Sequence, residues 1–242
     1  MKKLILSAAA LVLAAGMAVA QDKTVRMGTE GAYPPYNFVN DKGEIDGFER
    51  EFGDELCKRA GLTCEWVKND WDSIIPNLVS GNYDTIIAGM SITDERKKVI
   101  SFTQDYYPPT ESAYVAASEG VDLKGGIVSA QTATIQAGFI AESGATLVEF
   151  ATPEETIAAV RNGEADAVFA DYDYLAPIVA ESGGSLMFVG ERVPLGGGVG
   201  MGLRQSDGEL LGKFDKAITE MKADGSLNTL LKKWFGEETV TY

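Results

Sequence analysis

The chain has 242 residues, with 21 Lys+Arg against 36 Asp+Glu and no His, a net charge of −15. Without His, a Ser–His–Asp triad, a Cys–His dyad and any His-ligated metal are excluded, and the acidity argues against nucleic acid, which is bound by clustered Lys and Arg. Apolar residues at 45% and charged residues at 24% are ordinary for a globular protein.

Met1-Lys2-Lys3 is basic, residues 4–17 are almost wholly apolar, and Ala18-Val19-Ala20 forms an A-x-A cleavage site. Residues 1–20 therefore read as a secretory signal peptide, with the mature chain starting at Gln21. The apolar run is shorter than the ~20 residues that span a bilayer. Removing Lys2 and Lys3 leaves 19 − 36 = −17 on the mature chain. That length allows one large domain or two small ones. The chain has two Cys, Cys57 and Cys64. In an exported protein this predicts a disulfide, free buried thiols being the alternative.

Residues 24–28 look like an opening strand. Phe48, Phe52, Leu56 and Ala60 form one helical face that Gly61 stops, and residues 65–68 suit a strand. An internal echo follows. SGNYDTIIAG at residues 80–89 matches NGEADAVFAD at residues 162–171, with an offset of 166 − 84 = 82. Ahead of it, Ile75 and Leu78 correspond to Ile157 and Val160 at helical spacing. Thr152-Pro153-Glu154-Glu155 reads as a capping box with Pro at the first helical position. Each unit is thus helix, Gly cap and buried strand, and strands apolar on both faces belong to parallel sheets covered by helices. Two such units imply two α/β lobes. Residues 113–117 and 127–130 suit strands of the second. Ser206 with Glu209 is expected to cap a helix carrying Leu210, Phe214, Ala217, Ile218 and Met221. A last helix holds Leu227, Leu230, Leu231 and Trp234. Crossings between lobes are expected near residues 107–109 and at Gly196-Gly197-Gly198. In open parallel sheets ligands bind beyond the carboxyl ends of strands, which places Gly89 and Asp171 on an intervening cleft.

In order, GTEGAYPPYNF, GEIDGFERE, NDWDSIIPNL, GNYDTIIAGMSITDERKKVISFTQDYY, DLKGG, NGEADAVFAD and ADGSLNTLLKKWFG cover nearly all of the mature chain. Together they resemble the family 3 periplasmic solute-binding proteins for polar and basic amino acids, which serve ABC importers and include lysine/arginine/ornithine-, histidine- and opine-binding members. The resemblance implies the two-lobed periplasmic binding protein fold, α/β, each lobe a mainly parallel sheet flanked by helices. Residues 21–108 with 199–242 would form the first lobe and residues 109–198 an inserted second, joined by a two-segment hinge. It also implies a periplasmic monomer without cofactor or metal, whose partner is an ABC permease in the inner membrane.

A free amino acid needs a cation for its carboxylate, an anion for its ammonium and a side-chain pocket. Arg96 lies in SITDER beyond the first echo strand, and a guanidinium grips a carboxylate in two parallel hydrogen bonds. Ser91 and the N–H groups near Gly89 and Ser91 can add donors at the following helix start. Asp171 can accept from the ammonium, capping the next helix being its alternative role. By resemblance, Thr134 supplies a small hydroxyl from the second lobe, with Gln136 beside it. Ala133 and Ser129 stand where many relatives carry Gly. Tyr33 and Trp71 match an aromatic pair that sandwiches the ligand side chain, suited to an aliphatic stem or a cation. Glu30 matches an acid that faces the far end of cationic ligands, although relatives with neutral ligands carry one too. The expected ligand is Arg, Lys, ornithine or His. The alternatives are another polar amino acid, an opine, a soluble co-receptor role, and a dehydratase of prephenate-like acids on the same scaffold.

Overall fold

The computed structural model describes residues 24–242, so the expected signal peptide lies outside the described residues. In chain order the elements are β1 (Val25–Thr29), β2 (Ala32–Tyr33), β3 (Asn37–Val39), β4 (Ile45–Asp46), α1 (Phe48–Ala60), β5 (Cys64–Lys68), a 3-10 turn (Trp71–Ser73), α2 (Ile74–Val79), β6 (Thr85–Ile86), α3 (Asp94–Lys97), β7 (Ile100–Tyr107) and β8 (Glu111–Ala116). There follow β9 (Ile127–Gln131), α4 (Ile135–Ser143), β10 (Thr146–Phe150), α5 (Pro153–Asn162), β11 (Ala167–Asp171), α6 (Tyr172–Glu181), β12 (Met187–Pro194), β13 (Val199–Arg204), α7 (Gly208–Asp224) and α8 (Ser226–Phe235).

Two five-stranded sheets result, ordered β5-β1-β6-β13-β7 and β10-β9-β11-β8-β12, beside a small β2-β3-β4 ribbon. The two large orders are equivalent. β1 pairs in parallel with β5 and β6, and β9 in parallel with β10 and β11. One strand in each sheet runs against the rest: β13 is antiparallel to β6 and β7, and β8 to β11 and β12. Both reversed strands are the first that the chain forms after passing from one sheet to the other. The passages are residues 108–110 and 195–198, close to the expected crossings.

Helices cover both faces of each sheet, as doubly buried strands require. Along β11, Val168 joins the cluster under Ile157, Val160 and Leu175, while Ala167 and Phe169 join the opposite one with Ile140. In the first sheet Met27 packs with Phe52, Phe214 and Ile218, and Ile86 packs the other way onto Ile74 and Leu78. Close approach dictates Gly28, because a Cβ there would meet the Tyr83 ring at 2.6 Å. At the second passage, a Cβ on Gly198 (φ +85°) would come within 2.9 Å of the Tyr107 carbonyl.

The echo is real in structure but unequal. α5 carries the full capping box at Thr152 and Glu155 and ends on left-handed Gly163. Its counterpart α2 is only 6 residues long, and β6 has 2 residues against 5 in β11. The helix α7 corrects one expectation. Its N-cap is Asp207, without a side-chain capping bond. Ser206 lies one residue too early and donates to the Asp207 carboxylate, while Glu209 pairs with Lys213.

Cys57 of α1 and Cys64 at the head of β5 form a disulfide. Closing so short a loop contributes roughly 2–3 kcal/mol through the unfolded chain. Replacing both by Ala is expected to lower the unfolding free energy by about that amount. Denaturant titration of variant and parent checks this, and equal midpoints would show that the bond adds nothing.

Candidate functional site

The carboxyl ends of the two sheets face one another across about 340 Å³ of empty space. All nine residues singled out from sequence line this one space: Glu30, Tyr33, Trp71, Gly89, Ser91, Arg96, Thr134, Gln136 and Asp171. Ala88, Gln131 and Ile135 complete the wall. The halves are clasped together. The Tyr33 hydroxyl donates to Asp171 Oδ2 at 2.7 Å, Gln131 Nε2 to Glu30 Oε1 at 2.6 Å, and the Tyr107 hydroxyl to Asp173 Oδ2 at 2.9 Å.

Arg96 projects from the one-turn helix α3. Its Nη1 donates to the Ser91 carbonyl at 2.8 Å, its Nη2 reaches the Ala133 carbonyl at 3.4 Å, and its guanidinium lies 5.3 Å from the Trp71 ring centre. Burial lowers its pKa to about 10, while the charge of Asp171 acts the other way. It therefore stays cationic at neutral pH. The helix start itself offers less than expected, since Thr93 accepts from the Arg96 backbone N–H. The Gly89 N–H is also committed, donating to Glu49 Oε1 at 2.6 Å.

Asp171 ends β11 at the N-cap position of α6, yet its side chain makes no capping bond. It turns into the cleft, where Tyr33 holds Oδ2 and Gln136 Nε2 holds Oδ1 at 2.8 Å. Burial pushes its pKa up to about 6, despite the Tyr33 and Gln136 bonds and the Arg96 charge. Glu30 is pushed up to about 7, again chiefly by burial, against the hydrogen bond from Gln131.

Two roles read from sequence change in detail. The Thr134 hydroxyl is occupied as the N-cap of α4, accepting from the Ala137 N–H and donating to the Gln131 carbonyl. Tyr33 stacks on Tyr174 with ring centres 4.3 Å apart and planes 11° from parallel, so it braces the closed cleft besides lining it. Ala133, at φ +57°, keeps the left-handed turn that glycine would favour. The other substituted position, Ser129, donates its buried hydroxyl to the Thr156 and Ala167 carbonyls.

Sequence reasoning missed Gln131 and Tyr174. Gln131 was findable: it ends β9, which holds the same place in its sheet as β1, the strand that leads into Glu30. Tyr174 gives no local signal, because its partner lies on the other half of the molecule.

The model for bacterial extracellular solute-binding proteins, family 3, matches residues 25–237. The chain belongs to this family. It is 34% identical to the L-arginine-binding protein of Pseudomonas aeruginosa, over 97% of each chain. It is 32% identical to the lysine/arginine/ornithine-binding periplasmic protein of Escherichia coli, again over 97% of each. Among solved structures, a periplasmic His/Glu/Gln/Arg/opine family-binding protein from Silicibacter pomeroyi, in complex with lysine, superposes with a TM-score of 0.90. That chain is 84% identical, the match covering 90% of this solute-binding protein and 100% of the other. Among the described residues, no helix is long and apolar enough to cross a membrane.

Proposed function

We propose that this solute-binding protein captures a basic L-amino acid, lysine foremost, and delivers it to an ABC permease. The observation that carries the reading is a single cavity walled by Arg96 from one half and Asp171 from the other. Arg96 takes the α-carboxylate and Asp171 the α-ammonium. Tyr33 and Trp71 flank the aliphatic stem. Glu30 receives the distal cation, sharing its carboxylate with Gln131. A desolvated cation needs such an acid, because an unpaired buried charge is costly. The lysine complex of the 84% identical relative supports the same ligand.

Residues 21–108 with 199–242 and residues 109–198 act as two bodies turning about the two passages, and the closed form docks on the permease. The periplasm is the site of action, as for the periplasmic relatives. The ligand leaves unchanged, since the role is carriage and not turnover. Affinities of about −8 to −10 kcal/mol, micromolar to tens of nanomolar, are expected.

Calorimetric titration with lysine, arginine, ornithine, histidine, glutamine, citrulline and an opine tests this. Lysine is expected among the tightest, with glutamine weaker by about tenfold or more, the loss of one buried charge pair. A neutral or acidic ligand binding tightest overturns the charge assignment. Consumption of prephenate at a catalytic rate overturns the carrier role.

Glu30→Gln is expected to weaken lysine by about 10- to 100-fold while changing glutamine little. Equal weakening of both would assign Glu30 to holding Gln131 and not to reading ligand charge.

A further inference from the structure

Glu49 sits outside the cleft, on the first turn of α1, with no exposed surface. Three donors converge on its carboxylate. The Gly89 N–H reaches Oε1 at 2.6 Å, Asn37 Nδ2 reaches Oε2 at 2.7 Å, and the Tyr106 hydroxyl also donates to Oε1. The Asn37 amide has a fixed orientation, because its Oδ1 accepts from the Gly31 N–H at 2.7 Å. The end facing Glu49 is therefore the NH2 donor.

One acid thus ties together two chain segments far apart in sequence. The first is the turn at Gly31, next to Glu30. The second is the left-handed turn at Gly89 (φ +61°), which leads to Ser91. Glu30, Gly89 and Ser91 all line the cleft.

We propose that Glu49 is a positioning residue that sets the Gly31 and Gly89 turns in binding geometry before a ligand arrives. The inference rests on the amino-acid-binding reading above. Binding to a wall already in place spares the cost of ordering it. The requirement is chemical as well as steric. A carboxylate only accepts, and three donors face it. Glutamine is nearly the same size but has one acceptor oxygen and an NH2 that would confront a donor. At least one of the three bonds would be lost, and the turns would relax.

The test combines a ligand-independent signal with affinity. In ligand-free wild-type protein, NMR is expected to find the Gly89 amide proton far downfield and slow to exchange. In Glu49→Gln it should move upfield and exchange faster, and lysine should bind about tenfold or more weaker, as for a buried donor left unpaired. Asp84→Asn serves as the stability control. Asp84 lies away from the cleft, where its carboxylate holds Arg26 and Arg204. That variant should lower the unfolding midpoint yet keep the lysine Kd within about twofold, as expected for a distant, uncoupled site. A freely exchanging Gly89 amide in wild type overturns the proposal. So does a wild-type Kd in Glu49→Gln, or an equal loss of affinity in Asp84→Asn. If Glu49→Gln does not fold, Asn37→Ala decides with the wild-type amide signal: weaker lysine binding is expected, and an unchanged Kd overturns the role. Failure of the wild-type protein to bind lysine would refute the ligand assignment and leave the amide result standing.

Discussion

Arg96→Ala is expected to abolish tight binding of lysine and of every other α-amino acid, a loss of about 3–5 kcal/mol, or roughly 150- to 5,000-fold. Most of that loss comes from leaving a ligand carboxylate desolvated without its cation. The guanidinium is already oriented, with one nitrogen on the Ser91 carbonyl and its face toward Trp71. Little ordering remains to be done when the carboxylate arrives. Arg96→Lys should recover only part of the affinity, since an ammonium keeps the charge but loses the two-pronged grip. Calorimetry on the three proteins measures the series. Ligand-free stability should change little, because the side chain makes one short internal bond and one long one. Full affinity in Arg96→Ala would remove the carboxylate assignment and the cleft reading with it.

Asp171→Asn carries the second large effect, about 2–5 kcal/mol for an ammonium left without its buried counter-charge. Its titration adds a pH signature. Burial places the Asp171 carboxyl at about 6 and that of Glu30 at about 7, each above its ordinary value. A basic ligand needs both ionised. Lysine affinity should therefore fall as pH drops through 7 and 6. Ligand-free stability has the opposite sign. The folded form binds these protons more tightly than the unfolded chain does. The two groups thus contribute most at low pH, below their unfolded values, and that contribution is lost as pH rises through 6 and 7. Between pH 7 and 5, then, the empty protein should gain stability from these groups while its grip on lysine loosens. Asp171→Asn should flatten the lower part of the affinity profile. An unchanged profile in that variant would place the titrating group elsewhere.

Much of this was readable in the chain itself. Periodicity located α1 and its Gly61 stop, and the Gly-x-x-Asp echo identified equivalent strands in two sheets. The rule that ligands sit beyond strand ends then led to Gly89 and Asp171. What stayed hidden was pairing between distant segments. Glu49 reads as one more acid in an acidic helix, and only the fold brings Asn37, Gly89 and Tyr106 around it. Thr134 is assigned to the ligand by resemblance, and sequence does not show that its hydroxyl also caps α4. Ser206 with Glu209 has capping-box spacing, but the helix begins one residue later and the spacing loses its meaning.

The placement of β13 bears on how the polypeptide matures. The second sheet draws all its strands from one unbroken stretch, residues 111–194. The first sheet has a gap between β6 and β7 that closes only when residues 199–204 arrive. A chain emerging from its amino end can therefore finish its later-encoded half first. The earlier-encoded half waits with a missing slat until Arg204, the last residue of β13, is made. Until then the first sheet stays divided between β6 and β7.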